Sequence, residues 1–192
     1  MQKTYDEYKI ILQKRLSPKR YFHSLCVADE ALRLAEKYGA DKDKAYLSGL
    51  LHDITKNATQ EEHFEIFDTF EIKLNEIEKN SEKLWHAISG AAYVKYVLNI
   101  TDEETFNAIR YHTTAKPDMP MMTKVLYLAD FTSKDRDYPD VDVIRELVDI
   151  SLDKALKYAL SYTVKDLAEK ECAIHIDTVS AYNQICMLKE LS

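Results

Sequence analysis

The signals of a complete helix, from start to end, lie in residues 17–39, SPKRYFHSLCVADEALRLAEKYG. Ser17 is a preferred N-cap residue, and Pro18 stands at the first helical position, where its missing N–H costs nothing. Apolar residues then recur at spacings of three and four, as on the buried face of an amphipathic helix. Gly39 stands where a left-handed C-terminal cap is expected. The stretch therefore predicts one helix that runs to about Tyr38.

The same signals recur along the rest of the chain, as N-cap residues, acidic first turns and apolar spacings of three and four. They predict an all-α fold. Residues 71–80 are ambiguous, and residues 116–120 form a loop with two prolines. The other predicted helices are one over about 4–15, one that follows the cap Asp41 and carries apolar residues through Ile54, a shorter one opened by the capping box at Thr59–Glu62, one from Ser81 to about Leu98, one from the capping box at Thr101–Glu104 to near His112, one over 121–133, and two or three within 140–192.

Glycine is scarce in this chain. The 192 residues include 3 glycines, whereas the usual frequency of about 7% would give about 13. Three isolated glycines cannot form G-x-G-x-x-G or GxxxxGK[ST], so a dinucleotide-binding fingerprint and a P-loop are excluded. Together with 4 prolines, they also supply too few turns for an all-β fold. We predict a single domain over residues 1–192, in which helices within 140–192 complete the core.

Charge and cysteine content narrow the class of partner. The formal net charge is −7, which disfavours binding of long nucleic acid because such proteins carry clustered basic surface. A small phosphorylated ligand is compatible with this charge.

The cysteines Cys26, Cys172 and Cys186 are odd in number and lack CxxC spacing, so we expect reduced thiols. No signal peptide and no apolar run of about 18 residues is present, so we expect a cytoplasmic protein with no membrane partner.

Histidines and aspartates interrupt several apolar helical segments. The strongest signal is the pair His52-Asp53 in LLHDI, because a buried carboxylate needs a partner or a metal to offset its desolvation. One such group alone is more often part of a structural hydrogen-bond network. Imidazole and carboxylate together suit Fe, Mn, Co, Ni or Zn, and the lack of clustered thiols argues against a structural Cys-rich zinc site. Five segments favour a shared site, and they contribute His23, His52 with Asp53, His86, His112 and Asp130.

The order of these residues resembles a known signature. His23, then His52-Asp53, then Asp130 resembles the H…HD…D pattern of the HD-domain superfamily of metal-dependent phosphohydrolases. His86 and His112 stand where many members have further active-site histidines. More narrowly, the chain resembles the YqeK family, the symmetrical dinucleoside tetraphosphatases of that superfamily.

The narrower resemblance depends on stretches that together span residues 19–183. The HTT stretch, the AD-x₅-R spacing and the C-terminal HxDT…N stretch are its most specific parts. Two departures are Ala115, where glycine is expected, and Ile176, where proline is common. The matching stretches are KRYFHSLCVADEA (19–31), SGLLHDITK (48–56), WHAISGAAYV (85–94), AIRYHTTA (108–115), KVLYLADFTSKDR (124–136) and IHIDTVSAYN (174–183).

The resemblance implies an HD-domain helical bundle with its signature over about 19–136. It implies metal-assisted hydrolysis of a dinucleoside tetraphosphate, such as diadenosine tetraphosphate, to two nucleoside diphosphates such as ADP. Iron is the first choice of metal, with Mn, Co, Ni or Zn as alternatives, and one or two ions are compatible. Asp53 would also orient or deprotonate the attacking water. The implied ligands are His23, His52, Asp53 and Asp130, with His86 and His112 as a second site or as phosphate contacts.

Cations accompany the candidate ligands. Helical spacing places Arg20 beside His23, and Lys56 beside His52 and Asp53. Arg136 follows Asp130 by six residues, so it can approach from the helix end. The expected catalytic residues are Asp53, Lys56 and Arg136. The expected substrate contacts are Arg20, His23, Lys56, His86, His112, Thr113 and Arg136, and the resemblance adds His175, Thr178 and Asn183.

Other functions stay open at the level of sequence. One is another HD-domain hydrolase, such as a nucleotidase or a cyclic-dinucleotide phosphodiesterase of the HD-GYP kind, although no GYP triplet or His-His pair is present. A second is a non-catalytic sensor that binds a nucleotide or a metal. A third, a helical adaptor, leaves Asp53 and Asp130 unexplained. An exposed apolar helix face is compatible with a homodimer, but no residue requires one.

Overall fold

The protein is all-α, as predicted. The computed structural model describes residues 3–188, and within them there are eleven α-helices, one π-helical segment and no strand. The α-helices are α1 Tyr5–Arg15, α2 Pro18–Tyr38, α3 Lys42–Leu51, α4 Gln60–Thr69, α5 Glu76–Lys79, α6 Glu82–Ala92, α7 Glu103–Tyr111, α8 Met121–Thr132, α9 Val141–Ile150, α10 Leu152–Glu169 and α11 Ile176–Cys186.

Local capping residues explain the bounds of α2 and α3. The Ser17 hydroxyl accepts a hydrogen bond from the backbone N–H of Arg20, and Pro18 is the first residue of α2. Gly39 ends α2 with φ 74°, a left-handed conformation that glycine adopts without a Cβ penalty. The Asp41 carboxylate then accepts from the backbone N–H of Lys44 and caps α3.

Helices α2 and α3 pack at very short range. A Cβ atom on Gly49 would lie 2.7 Å from the Cα of Ala28 and 2.9 Å from the carbonyl oxygen of Val27. Only glycine permits this approach without a shift of backbone. The contact therefore fixes the end of α3 against the middle of α2.

Helix α3 ends earlier than the sequence indicates. It stops at Leu51, and residues 52–57 form successive turns, so the prediction of a helix through Ile54 is wrong. These turns contain hydrogen bonds from the N–H of Ile54 to Leu51 O (3.1 Å) and from that of Lys56 to Asp53 O (2.8 Å). Arg15 Nε donates to Ile54 O at 3.1 Å. Gly90 lies against the same turns, because a Cβ there would be 3.3 Å from Thr55 Oγ1.

Two other boundaries differ from the prediction, and the segment left ambiguous contains a short helix. The cap of α7 is Asp102, whose carboxylate accepts from the N–H of Thr105, and not Thr101. The helix predicted from Ser81 to Leu98 is α6 followed by a π-helical segment, Tyr93–Val97. The ambiguous residues 71–80 contain the short α5, which Asn75 caps.

One hydrophobic core runs through most of the bundle. Buried side chains from α1, such as Leu12, belong to the same cluster as Ala181 and Ile185 of α11. Trp85 belongs to a second, smaller cluster, which side chains of α4 and α6 form. Within residues 3–188, no helix is both long enough and apolar enough to cross a membrane.

Candidate active site

Six side chains from five segments converge in the interior of the bundle. The histidines and Asp53 are buried, whereas the side chain of Asp130 is 17% exposed. The six residues and their positions are His23 in α2, His52 and Asp53 in the first turn after α3, His86 in α6, His112 at the C-terminal cap of α7, and Asp130 near the end of α8.

The first group able to hold a metal ion is formed by His23, His52 and Asp130. One donor atom from each lies within 4.8 Å of the other two. His23 Nε2 is 2.9 Å from Asp130 Oδ1, and His52 Nε2 is 3.9 Å from the same oxygen. Two imidazoles and a carboxylate are ligands that Fe, Mn, Co, Ni and Zn accept.

A second group shares His52 with the first. Its members are His52, Asp53 and His112, whose donor atoms again lie within 4.8 Å of one another. His52 Nε2 is 3.5 Å from Asp53 Oδ2, and His112 Nε2 is 3.7 Å from Asp53 Oδ1. The structure thus brings the four residues predicted as metal ligands together and places His112 with them.

The backbone orients two of these imidazoles. His52 Nδ1 lies 2.7 Å from Gly49 O, and His112 Nδ1 lies 2.7 Å from Ile109 O. Because a carbonyl only accepts, each Nδ1 carries the proton and each Nε2 presents a lone pair to the cluster. His52 Nε2 is buried and has no hydrogen-bond partner among the described residues, which fits a metal ligand.

The carboxylate of Asp135 orients the third imidazole, that of His23. Asp135 is absent from the residues predicted from the sequence. His23 Nδ1 lies 2.8 Å from Asp135 Oδ2, and Ser133 Oγ donates to Asp135 Oδ1 at 2.8 Å. Burial favours the neutral acid of Asp135, but Ser133 and His23 outweigh it and lower the pKa of that carboxyl. The only signal in the sequence is that Asp135 precedes Arg136 in the segment after α8.

His86 contacts a lysine at the edge of the cluster. Lys56 Nζ is 2.9 Å from His86 Nε2, which is also 3.1 Å from His112 Nε2 and 3.2 Å from Asp53 Oδ1. Burial holds the pKa of His86 well below its usual value, so the ring is neutral near pH 7. Burial also lowers the pKa of Lys56. His86 belongs to neither metal-binding group among the described residues.

The two arginines contact the carboxylates of the cluster. Arg20, which the helical spacing places beside His23, donates from Nη1 to Asp53 Oδ2 at 3.0 Å. Arg136 forms an ion pair with Asp130 and donates from Nε to Asp130 O at 2.6 Å. The guanidinium groups are about one third exposed and stand at the rim of the site.

Both central carboxylates are ionised despite their burial. Desolvation is the largest influence on Asp53 and favours its neutral form, but His52, His112 and His86 together hold the pKa well below its usual range. The same opposition acts on Asp130, where Arg136 and His23 outweigh desolvation and hold the pKa low. The centre thus offers anionic carboxylate oxygens beside imidazole nitrogens, which is a donor set for a cation.

Two cavities that share no lining residue are relevant to this centre, since one has His23 in its wall and the other has Thr113, the residue after His112. Each has a volume of about 450 Å³. The His23 cavity is lined by Lys19, Arg20, His23, Asp135, Arg136, Asp137 and Tyr138. The His175 cavity has Leu84, Thr113, Thr114, Ala173, His175 and Thr178 in its wall.

The His175 cavity gathers most of the C-terminal residues predicted to contact substrate. Thr178 Oγ1 donates to Thr114 O at 2.7 Å and joins α11 to the segment after His112. Thr113 Oγ1 is buried without a hydrogen-bond partner among the described residues. Asn183 is exposed on α11 and does not line this cavity.

His175 belongs to a buried polar network that the sequence prediction lacked. Its Nδ1 accepts from the N–H of Asp177, and its Nε2 lies 3.5 Å from Glu78 Oε1. Glu78 also forms an ion pair with Arg110, two residues before His112. The network ties the wall of the cavity to α5 and α7.

Ala115 and Ile176, the two departures from the family pattern, lie in different surroundings. Ala115 has φ 57°, the left-handed region in which glycine is favoured, and its side chain is buried. Ile176 is the first residue of α11 and is 61% exposed. Neither residue belongs to the metal-binding groups of the described chain.

A family model and several known proteins are similar to this chain over most of its length. The HD domain family model matches residues 20–146. A Bacillus subtilis protein named "Bis(5'-nucleosyl)-tetraphosphatase, symmetrical" is 34% identical over 178 residues, which are 93% of this chain and 95% of the relative. A Halalkalibacterium halodurans protein of the same name is 33% identical over 177 residues, 92% of this chain and 94% of the relative.

A solved structure is also similar over nearly the whole chain. The crystal structure of a "predicted HD superfamily hydrolase involved in NAD metabolism" from Clostridium acetobutylicum has a TM-score of 0.94 and 35% sequence identity to this protein. The match covers 98% of this chain and 100% of the other.

Proposed function

The chain belongs to the HD domain family, and on this premise we propose that it is a metal-dependent hydrolase that cleaves dinucleoside tetraphosphates symmetrically. Diadenosine tetraphosphate is the proposed substrate, and two molecules of ADP are the products. The observation that carries this proposal is the cluster of imidazole and carboxylate groups in a chain about one third identical, over nearly its full length, to symmetrical tetraphosphatases.

The proposed metal ligands are the members of the two overlapping groups, His23, His52, Asp53, His112 and Asp130. Because His52 belongs to both groups, one or two ions fit this set of donors. Iron is our proposal for the metal because the family resemblance implies it, and the imidazole and carboxylate donors are compatible with iron as with Mn, Co, Ni or Zn. A divalent ion bound here supplies Lewis acidity, which lowers the pKa of water toward neutrality and polarises a phosphoryl oxygen.

The residues of the chain prepare the attack on phosphorus. Asp53 is ionised, so its carboxylate accepts a hydrogen bond from the attacking water and orients it in line with the bond that breaks. The Arg20 and Arg136 guanidinium groups stand at the rim and neutralise the phosphoryl oxygens. Lys56, held 2.9 Å from His86 Nε2, stabilises the charge that develops on the leaving oxygen.

The His175 cavity is the proposed place for one nucleoside. Thr113 follows the proposed ligand His112 directly, and its hydroxyl, which has no partner within residues 3–188, supports a contact with the phosphate or the ribose. His175 and Thr178 line the same cavity and give it polar edges. Asn183 lies outside this wall, so its contact with substrate stays a prediction from the sequence.

We also propose that the protein acts in the cytoplasm. The cysteines Cys26, Cys172 and Cys186 are free, as expected of a protein that acts in the cytoplasm. A homodimer stays a prediction, and the site described above is assembled within one chain.

Product analysis tests the function directly. Metal-loaded protein is incubated with diadenosine tetraphosphate, and the nucleotides are separated by chromatography. We expect ADP as the sole product, and we expect His52→Ala and Asp53→Ala to abolish its formation. AMP together with ATP would overturn the symmetrical cleavage. Absence of turnover with Fe, Mn, Co, Ni and Zn would favour another HD-domain substrate or a sensor.

A further inference from the structure

The wall of the His23 cavity has features that the catalytic cluster does not use. Lys19 is exposed at the start of α2, next to Arg20. Tyr138 is half-buried, and its hydroxyl donates to Phe131 O at 2.9 Å, which holds the ring in place. Asp137 adds an exposed carboxylate. A cation, a fixed aromatic ring and an acceptor for hydroxyl groups thus lie together in one cavity.

The two cavities are related to the cluster in different ways. His23, a member of the first metal-binding group, lies in the wall of the His23 cavity. The His175 cavity begins at Thr113, which adjoins His112 of the second group. Each volume of about 450 Å³ falls in the range of about 300–1,000 Å³ typical of ligand pockets.

The symmetry of the proposed substrate requires room for two equal halves. When the central linkage lies at the metal cluster, a nucleoside and two phosphates must extend from it in each of two directions. One cavity accounts for one half only. The His23 cavity offers a second space of the same volume, and its wall includes a member of a metal-binding group.

We propose that the His23 cavity is a second nucleoside subsite, which takes one half of the dinucleotide while the His175 cavity takes the other. This inference rests on the proposed function. Lys19 and Arg20 contact the phosphate next to the second nucleoside, the Tyr138 ring packs on its base, and Asp137 accepts from its ribose hydroxyls. The site then selects substrates with a nucleoside at both ends.

The stoichiometry of product binding tests this arrangement. ADP is titrated into metal-loaded protein in a calorimeter, while turnover of diadenosine tetraphosphate is measured on the same preparation. We expect two ADP per chain in the wild type and one in the Lys19→Ala/Tyr138→Ala variant. The control is Lys42→Ala, which removes an exposed lysine that lines neither cavity and should bind two ADP. One ADP per wild-type chain with normal turnover overturns the subsite but not the hydrolase.

The number of nucleosides in the substrate gives a second, independent readout. Adenosine tetraphosphate has one nucleoside, so it needs only one of the two cavities. Loss of a base–aromatic contact should raise KM for diadenosine tetraphosphate about 10-fold in Tyr138→Ala and leave KM for adenosine tetraphosphate nearly unchanged. Equal effects on both substrates, or no effect on either, would overturn the proposal. Lys19→Ala removes only an exposed side chain, so it keeps the test valid if Tyr138→Ala does not fold.

Discussion

At the scale of single residues, the orientation of the imidazoles decides what the cluster can bind. His52 and His112 are oriented by backbone carbonyls three residues earlier, those of Gly49 and Ile109, so no neighbouring side chain supplies these contacts. His23 instead depends on the side chain of Asp135. A carboxylate that accepts from Nδ1–H makes the Nε2 lone pair more basic, which strengthens its bond to a metal. The orientation of His23 is therefore sensitive to a substitution that changes only the charge of its partner.

We expect Asp135→Asn to weaken metal binding about 10-fold. The amide oxygen can still accept a hydrogen bond from His23 Nδ1, but the negative charge is lost. The measurement is metal affinity by titration with a chelator, which a purely structural role would not change in a stable variant. Asp29→Asn removes an equivalent charge from an exposed position on α2 and should leave the affinity unchanged. Equal affinity in both variants would contradict the role of Asp135.

At the scale of elements, the cluster depends on how closely α2 and α3 pack. His23 lies on α2, and His52 follows α3 directly, so the separation of these helices sets the distance between two ligands. The contact at Gly49 fixes that separation, because the nearest atoms are the backbone of Ala28 and Val27. Backbone cannot move away as a flexible side chain can.

We expect Gly49→Ala to lower the free energy of unfolding by about 1–3 kcal/mol, the usual cost of overpacking. It should also reduce metal affinity, since the helices that carry His23 and His52 must separate. Gly90→Ala is the matched control, because its Cβ would meet a side-chain atom, Thr55 Oγ1, at 3.3 Å. Chemical denaturation measures both variants. A Gly49→Ala protein as stable as wild type would refute the argument.

A second test at this scale concerns the cap of α7, the helix that ends at His112. The Asp102 carboxylate accepts from the N–H of Thr105 at 2.8 Å and pairs with Lys44 at 2.7 Å. We expect Asp102→Ala to cost about 1 kcal/mol of stability, whereas Thr101→Ala, at the residue that the sequence pattern favours, should cost about 0.5 kcal/mol or less. Denaturant titration of both variants gives the comparison, and a larger loss in Thr101→Ala would contradict it.

The stabilisation by Asp102 also depends on pH in a defined direction. Partial burial opposes ionisation, but Lys44 and Thr105 outweigh it and lower the pKa of this carboxyl. A lowered pKa in the folded state means that the contribution is fully present above the unfolded pKa of about 3.9. It is lost as the pH falls through the folded value. The difference between wild type and Asp102→Ala should therefore shrink only in acid.

At the scale of the whole molecule, local signals were predictable and contacts between segments were not. Ser17 and Gly39 act on backbone groups within a few residues, so the sequence predicted the bounds of α2. The end of α3 at Leu51 was not predictable, because contacts from other segments, such as that of Arg15 with Ile54 O, hold the turns that follow it. The polar residues that converge on the cluster were predictable because they interrupt apolar helical segments, and the resemblance supplied their roles as ligands, which stay predictions.

The partners of those residues required the structure. Arg20 is in register with His23 along α2, yet it contacts Asp53, 33 residues away. Asp135 meets His23 across 112 residues of sequence. Such contacts depend on how α2, α8 and the turns after α3 pack, and no periodicity within one helix contains that information.

This convergence makes metal binding a property of the whole fold. The ligands join α2, the turn after α3, the end of α7 and α8, so an ion that binds only the folded chain stabilises all four together. Metal at about 100 times its Kd should add about 2.7 kcal/mol, which raises the Tm of a chain of this length by about 5–10 °C. Thermal unfolding with and without a chelator measures the shift.

His52→Ala should abolish the metal-dependent rise in Tm because both metal-binding groups include His52. His63→Ala removes another buried histidine, outside both groups, so it should lower the Tm but keep the metal-dependent rise. An equal rise in His52→Ala would mean that the ion binds elsewhere.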